Sequence, residues 1–145
     1  MSEVIFDSDI VSRIILDPKD FPGGVLDLRK SFQFSSDNQY RQSVNCHRLA
    51  NNDQAAIHQL GLVKEAVDHA AGRTGRKYKG YCQAEVLPIR TINVSDQAHF
   101  EVYHKEENGN KAHCEIKVLF KQKNARNEAI TQLIGCFSEL VAYAA

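Results

Sequence analysis

The sequence predicts an α+β fold: an antiparallel sheet of four to five strands with two amphipathic helices, residues about 52–71 and 125–144, packed on one face. Three observations lead there. Two segments repeat apolar residues at helical spacing, the stretch between them alternates at strand spacing, and the connections are rich in Gly, Asn and Asp. The 145 residues read as a single globular domain. A chain of this size buries roughly two thirds of its unfolded surface and needs no disulfide or structural metal to fold.

In chain order, "VIF", "SRIIL" and "GVLDLRKSFQF" each read as a strand, and two of the three are expected in the sheet, with "DPKDFPGG" as a turn between them. The polar "SSDNQYRQSVN" reads as a loop leading to a short segment, "SVNCHRL". Next, Ala56, Leu60, Val63, Val67 and Ala70 fall on one helical face. Asn51 or Asn52 can cap the start, and Gly72 can take the left-handed turn at the end. Strands follow at Tyr78 to Leu87, Ala98 to Glu106 and Lys111 to Phe120, the last two forming a hairpin around "ENGN".

The hairpin register follows from its faces and charges. A two-residue Asn108-Gly109 loop sets the apolar faces opposite ways. A loop of Asn108 to Asn110 aligns them and pairs Glu107 with Lys111 and Glu101 with Lys117, at the expense of a left-handed Asn110. That register sets His104 opposite Cys114. The last helix carries Ile130, Leu133, Ile134, Phe137, Leu140, Val141 and Ala144 behind Asn124 as cap. Its stripe runs to the end of the chain, so the sheet or a second subunit should cover it.

Lysine plus arginine equals aspartate plus glutamate at 18 each, so no whole-molecule field draws in nucleic acid or acidic membranes. The start of the chain lacks the basic and apolar pattern of a secretory signal, and no run is long and apolar enough for a membrane span, which sets the cytoplasm as the expected compartment. Cys46, Cys82, Cys114 and Cys136 are widely spaced and are expected to be reduced.

Four constellations carry chemistry. The first is "GRTGRKYKGY", whose Arg73, Arg76, Lys77 and Lys79 form a local basic patch beside Tyr78 and Tyr81, with Lys121, Lys123 and Arg126 as further cations. It is not a phosphate loop, because a helix precedes the glycines where such a loop needs a helix to follow. Gly72 to Gly75 is similar to the G-x-x-G clamp of KH domains, but that clamp joins two helices. The order helix, three strands, helix is similar to double-stranded RNA-binding domains in topology alone.

The second constellation is Arg41, Ser43, Asn45 and His47, which alternate and would share one side of a strand suited to a small anionic or nucleotide-like ligand. The third pairs His104 with Cys114 as base and nucleophile, with His113 pointing to the opposite face. Lacking C-x-x-C or H-x-x-x-H spacing, the Cys and His residues predict no metal site, and nothing predicts a cofactor. The fourth, His58, Glu65 and His69, reads as a solvated helix face.

Three function classes follow. The first expectation is a small interaction or ligand-binding module, self-associating through its C-terminal helix and open to a small ligand or a protein partner. Behind it stand a nucleic-acid or phosphate binder using the basic loop at 73–79 and a small enzyme using the 41–47 row with His104 or His113.

Overall fold

The computed structural model describes residues 2–119 and 123–144. Its centre is β1 (Ile10–Asp17), whose side chains are buried on both faces, as an inner strand requires. It pairs with β2 (Arg41–Cys46) on one side and β3 (Lys77–Glu85) on the other. With β6 (Phe100–His104), β7 (His113–Val118) and β8 (Val141–Ala142) they form a six-stranded antiparallel sheet in the order β6-β7-β2-β1-β3-β8. A second sheet pairs β4 (Asn93–Val94) with β5 (Gln97–Ala98). The helices are α1 (Leu28–Ser31), α2 (Gln54–Ala70), α3 (Val86–Arg90) and α4 (Lys123–Gly135). The α+β expectation holds, with six strands in the main sheet.

The first fifty residues depart from expectation. Only "SRIIL" becomes a strand. Val4 and Phe6 are exposed, with Phe6 under the Arg48 guanidinium at 4.7 Å. "GVLDLRKSFQF" becomes a turn and a helix start, because the Asp27 carboxylate accepts from the amides of Arg29 and Lys30, and it delivers Phe32 and Phe34 to the core. The missing strand is β2, from a segment expected to be a loop. Its Val44 and Cys46 face the main core while Ser43 and Asn45 face away, so half of a central strand looks polar.

The hairpin has the expected register, with His104 opposite Cys114 and Glu101 opposite Lys117. Its loop differs. Asn108 and Gly109 take positive φ (51° and 80°) and close on a Glu107 to Asn110 bridge, and an extra residue on the β7 side restores the alignment. Asn110 is spared the left-handed conformation. Phe120, Lys121 and the side chains of Lys123 and Asn124 lie outside the described residues.

The two long helices lie on opposite faces of the sheet rather than together. α4 packs Ala129, Ile130 and Leu133 with α3, Val44, Cys114 and Ile116. It stops at Gly135, and the chain turns back to add β8 beside Gly80 and Tyr81. Because Gly80 lacks a Cβ, the Val141 carbonyl can approach closely. Of the stripe read to residue 144, Ile130 and Leu133 are buried in the core, Ile134, Phe137, Leu140 and Val141 are half-buried, and Ala144 is exposed.

α2 lies on the other face, over β3 and β1. Its cap is Asp53, which accepts from Ala55, while Asn51 and Asn52 take positive φ; Gly72 does turn left-handed at 91°. The buried positions are Ile57, Gly61 and Asp68, and Val63 and Val67 are each 51% exposed. The helix is thus rotated from its expected face, because Gly61 seats on the ring of Tyr78 and the supposed solvated face holds β3. His58 meets the Tyr78 hydroxyl at 2.7 Å, Glu65 accepts from the Tyr78 amide at 2.5 Å, and His69 Nε2 donates to the Arg76 carbonyl at 2.6 Å. A bulge at Lys79 brings Tyr78 and Tyr81 to the same side.

A methyl at Gly61 would fall within the Tyr78 ring. Gly61→Ala is expected to destabilise the protein by about 1–3 kcal/mol, despite its better helix propensity. Urea denaturation checks this: the midpoint should fall with an unchanged slope, and a rise would show that propensity outweighs the clash.

Candidate functional site

The β1–β2 ladder is only two residues long, Val11 with Cys46 and Ser12 with Asn45. Beyond it the strands part, and the buried Arg13 side chain fills the gap. It donates to the Ser43 carbonyl at 2.8 Å, the Ser31 carbonyl at 2.7 Å and the Ser31 hydroxyl at 3.0 Å, with its guanidinium 5.1 Å from the Phe32 ring. Burial lowers its pKa to about 10, with Asp20 acting against that shift, so it stays charged at neutral pH.

Where the strands part, α2 stands over the sheet and leaves a groove of about 360 Å³. Ile14, Leu60, Val63 and Val67 make its apolar part; Ser43, Asn45, Asn110 and His113 make its polar part. Such a volume and mixed lining suit a small organic molecule. The cations at its border are already paired: Lys19 with Asp20 at 3.0 Å, and Lys64 and Arg76 with Asp68 at 2.9 and 3.1 Å.

The polar end has a defined hydrogen-bond order. His113 Nδ1 lies 2.6 Å from the Lys105 carbonyl, which can only accept, so Nδ1 carries the proton. Neutral His113 therefore presents a lone pair at Nε2, 3.0 Å from the exposed Ser43 hydroxyl. Asn110 Oδ1 accepts from the Ala112 amide at 3.0 Å, so its NH₂ group is the one that donates to Asn45 Oδ1 at 2.9 Å. That in turn leaves the Asn45 NH₂ group as a donor in the groove.

Beside this pair, Glu107 comes within 3.6 Å of His113 Nε2. Glu115 accepts from the Tyr103 hydroxyl at 2.6 Å and faces Arg41 at 3.6 Å and Lys105 at 3.9 Å. Among the described residues, Glu107, His113 and Glu115 bring ligand-capable atoms within 4.8 Å of one another. A divalent cation there would meet Arg41 and Lys105 at Glu115 and compete with Ser43 for Nε2, so the trio fits a metal poorly.

The other expected residues go elsewhere. His47 follows Ser43 and Asn45 on the same side but is buried edge-on against Tyr81, 5.5 Å between rings, and its Nε2 has no hydrogen-bond partner. The His104 and Cys114 pairing is real in register and fails as a dyad. His104 Nδ1 accepts from the Glu3 amide at 2.9 Å, and Nε2 must then donate to the Lys111 carbonyl at 2.8 Å, which leaves no lone pair for a thiol. Cys114 is fully buried; its hydrogen bond with Cys46 and burial both push its thiol far up.

In the basic loop, Arg73 and Arg76 both turn inward to the buried Asp68, joined by Lys64. Tyr78 is buried against α2 rather than free to stack on a base, Lys77 is exposed and Lys79 is half-buried. Arg126 lies over Tyr40 on the α4 side. Sequence reasoning missed Arg13, Asp68, Asn110, Glu107 and Glu115. The first two carried a signal, being charges inside apolar or helical stretches that must be paired if buried.

No helix among the described residues is long and apolar enough to cross a membrane. No protein-family model, curated protein or solved structure matches this chain.

Two titrations probe these networks. Burial alone would raise Asp68, and its three cations more than offset that, holding it down to about 2. Its contribution is therefore complete above about pH 5 and is lost as the pH falls toward 2. Asp68→Asn should cost about 2 kcal/mol at pH 7, discounted because the cations are partly exposed, and the gap should close near pH 2 in denaturation curves measured at both. Tyr103 is pushed up to about 12, first by burial and then by its bond to Glu115. In Glu115→Gln, the Tyr103 ring carbons followed by NMR should titrate at lower pH than in the parent, yet above the ordinary 10.

Proposed function

We propose that this domain binds a neutral, amphipathic small molecule in the groove between α2 and the open face of β2 and β7. One observation carries the reading: Val63 and Val67 are held half-exposed on α2 and line the same concavity as Ser43, Asn45, Asn110 and His113. Apolar side chains beside a short row of directed polar groups are the makeup of a small-molecule site. A neutral ligand is favoured because each bordering cation is already engaged by the protein, Lys19 with Asp20, Lys64 and Arg76 with Asp68, and Arg13 with the Ser31 and Ser43 carbonyls.

The 41–47 row enters this reading in part: Ser43 and Asn45 face the ligand, Arg41 braces Glu115, and His47 packs inside. The ligand's apolar portion would displace water from Val63 and Val67. Burying each valine stabilises the complex by about 1 kcal/mol, half of a full side-chain transfer because each starts half-exposed.

The test uses Nile red, a neutral solvatochromic dye. The full chain should bind it saturably, with blue-shifted emission and backbone amide shifts confined to α2, β1, β2, β7 and the hairpin loop around Asn110. Replacing Val63 and Val67 together by Asp, at positions where the melting temperature should barely move, is expected to weaken binding at least tenfold. Equal affinity in the double variant, or amide shifts elsewhere, would remove the groove as the site.

A further inference from the structure

We infer that Ser43 and His113 form a nucleophile and general base that cleave a carboxylic ester held in this groove, a step that rests on the groove being a ligand site. Three features of the geometry point to it. Ser43 Oγ lies 3.0 Å from His113 Nε2, within the distance at which a hydroxyl hands its proton to a base. The Lys105 carbonyl at His113 Nδ1 holds the imidazole in the one neutral tautomer that can accept that proton. Ser43 is exposed and lines the groove, whereas His113 is buried behind it, so the hydroxyl and not the ring meets the substrate first.

The chemistry balances without any added oxidant or metal. Ser43 Oγ attacks the ester carbonyl carbon as its proton moves to His113 Nε2. The carbonyl oxygen becomes an oxyanion for which the Asn45 NH₂ group, turned into the groove by the Asn110 bond, is the available donor. The imidazolium is stabilised by the Lys105 carbonyl at Nδ1 and by the Glu107 carboxylate 3.6 Å from Nε2. His113 returns the proton to the departing alkoxide as the C–O bond breaks, leaving acyl-Ser43 and a free alcohol. Water, activated by the same Nε2, then cleaves the acyl-serine to the acid and restores the hydroxyl.

The groove also sets the substrate class. Ile14, Leu60, Val63 and Val67 would receive an apolar acyl or alcohol portion, and the lining cations Arg13, Lys64 and Arg76 are already engaged by oxygens of the protein itself. A carbonyl in place of a carboxylate behind the histidine makes this a dyad, since it orients the ring without adding a charge that helps deprotonate serine. Turnover should accordingly be slow and the covalent step easier to detect than multiple turnovers.

The experiment treats the full chain with a fluorophosphonate probe and with 4-nitrophenyl butyrate, and reads the Ser43 peptide by mass spectrometry. The expected result is one adduct per chain on Ser43, faster than on the heat-denatured protein and lost in Ser43→Ala. The labelling rate should fall at least a hundredfold in His113→Gln and severalfold in Asn45→Ala. Because His113→Gln removes the imidazole bond to the Lys105 carbonyl across the hairpin, Ser43→Cys provides a second route. Its thiol should be alkylated by iodoacetamide faster than in the Ser43→Cys, His113→Gln double variant, with Nile red binding confirming both folds. No adduct on Ser43 while Nile red still binds would overturn the dyad and leave the groove standing; loss of both would remove the groove as well. Hydrolysis abolished by EDTA and restored by zinc would also overturn it, by making His113 a metal ligand.

Discussion

The structure turns on one buried charge. Arg13 stands in the central strand, where β1 and β2 stop pairing, and its guanidinium supplies three hydrogen bonds in place of the ladder's own. Two sheet carbonyl or loop oxygens that would otherwise be orphaned in the interior are satisfied by one side chain, so the strands can separate without losing their backbone bonding. That separation is what opens the sheet face under α2. The same guanidinium holds the Ser43 carbonyl, and so positions the residue proposed as the nucleophile.

A second buried charge orients the helix above. Asp68 sits at the C-terminal end of α2, where a carboxylate is disfavoured by the helix dipole, and it is made tolerable by Lys64, Arg73 and Arg76. Together with the seat of Gly61 on Tyr78, this turns the helix so that its valines border the groove instead of the core. The glycine- and arginine-rich loop is thereby explained as the far half of a clamp. Its two arginines are engaged with the protein's own carboxylate, and its glycines serve the turn into β3.

The legible parts of the fold are those determined by local pattern. The hairpin register followed from matching faces and from charge pairs, which set Glu101 opposite Lys117. α2 was legible in extent, and the Gly72 stop in conformation. What failed did so for stated reasons. β2 is polar on the face that lines the groove, so its first half was read as part of a polar loop even though the alternation from Arg41 to His47 fitted one side of a strand. The rotation of α2 was hidden because its buried contacts are a glycine and an aspartate, neither of which contributes to an apolar stripe. The end of α4 was hidden because Leu140 and Val141 continue the helical spacing while serving a sheet edge.

The candidate site shows the same division. Ser43, Asn45 and His113 could each be singled out by residue type and alternation, and the row from Arg41 to Asn45 is present in the strand, with His47 just past its end. By itself, the sequence determined the fold class, the alternation that puts Ser43 and Asn45 on one face, and the register that sends His113 to the opposite side from Cys114. Only tertiary structure decided that His113 reaches Ser43 while His104 is locked between two backbone groups. The reason is that β2 and β7 are 70 positions apart at those residues, and their meeting depends on strand order, on the gap held by Arg13 and on which ring nitrogen a backbone carbonyl occupies. None of these is a property of any local stretch of chain.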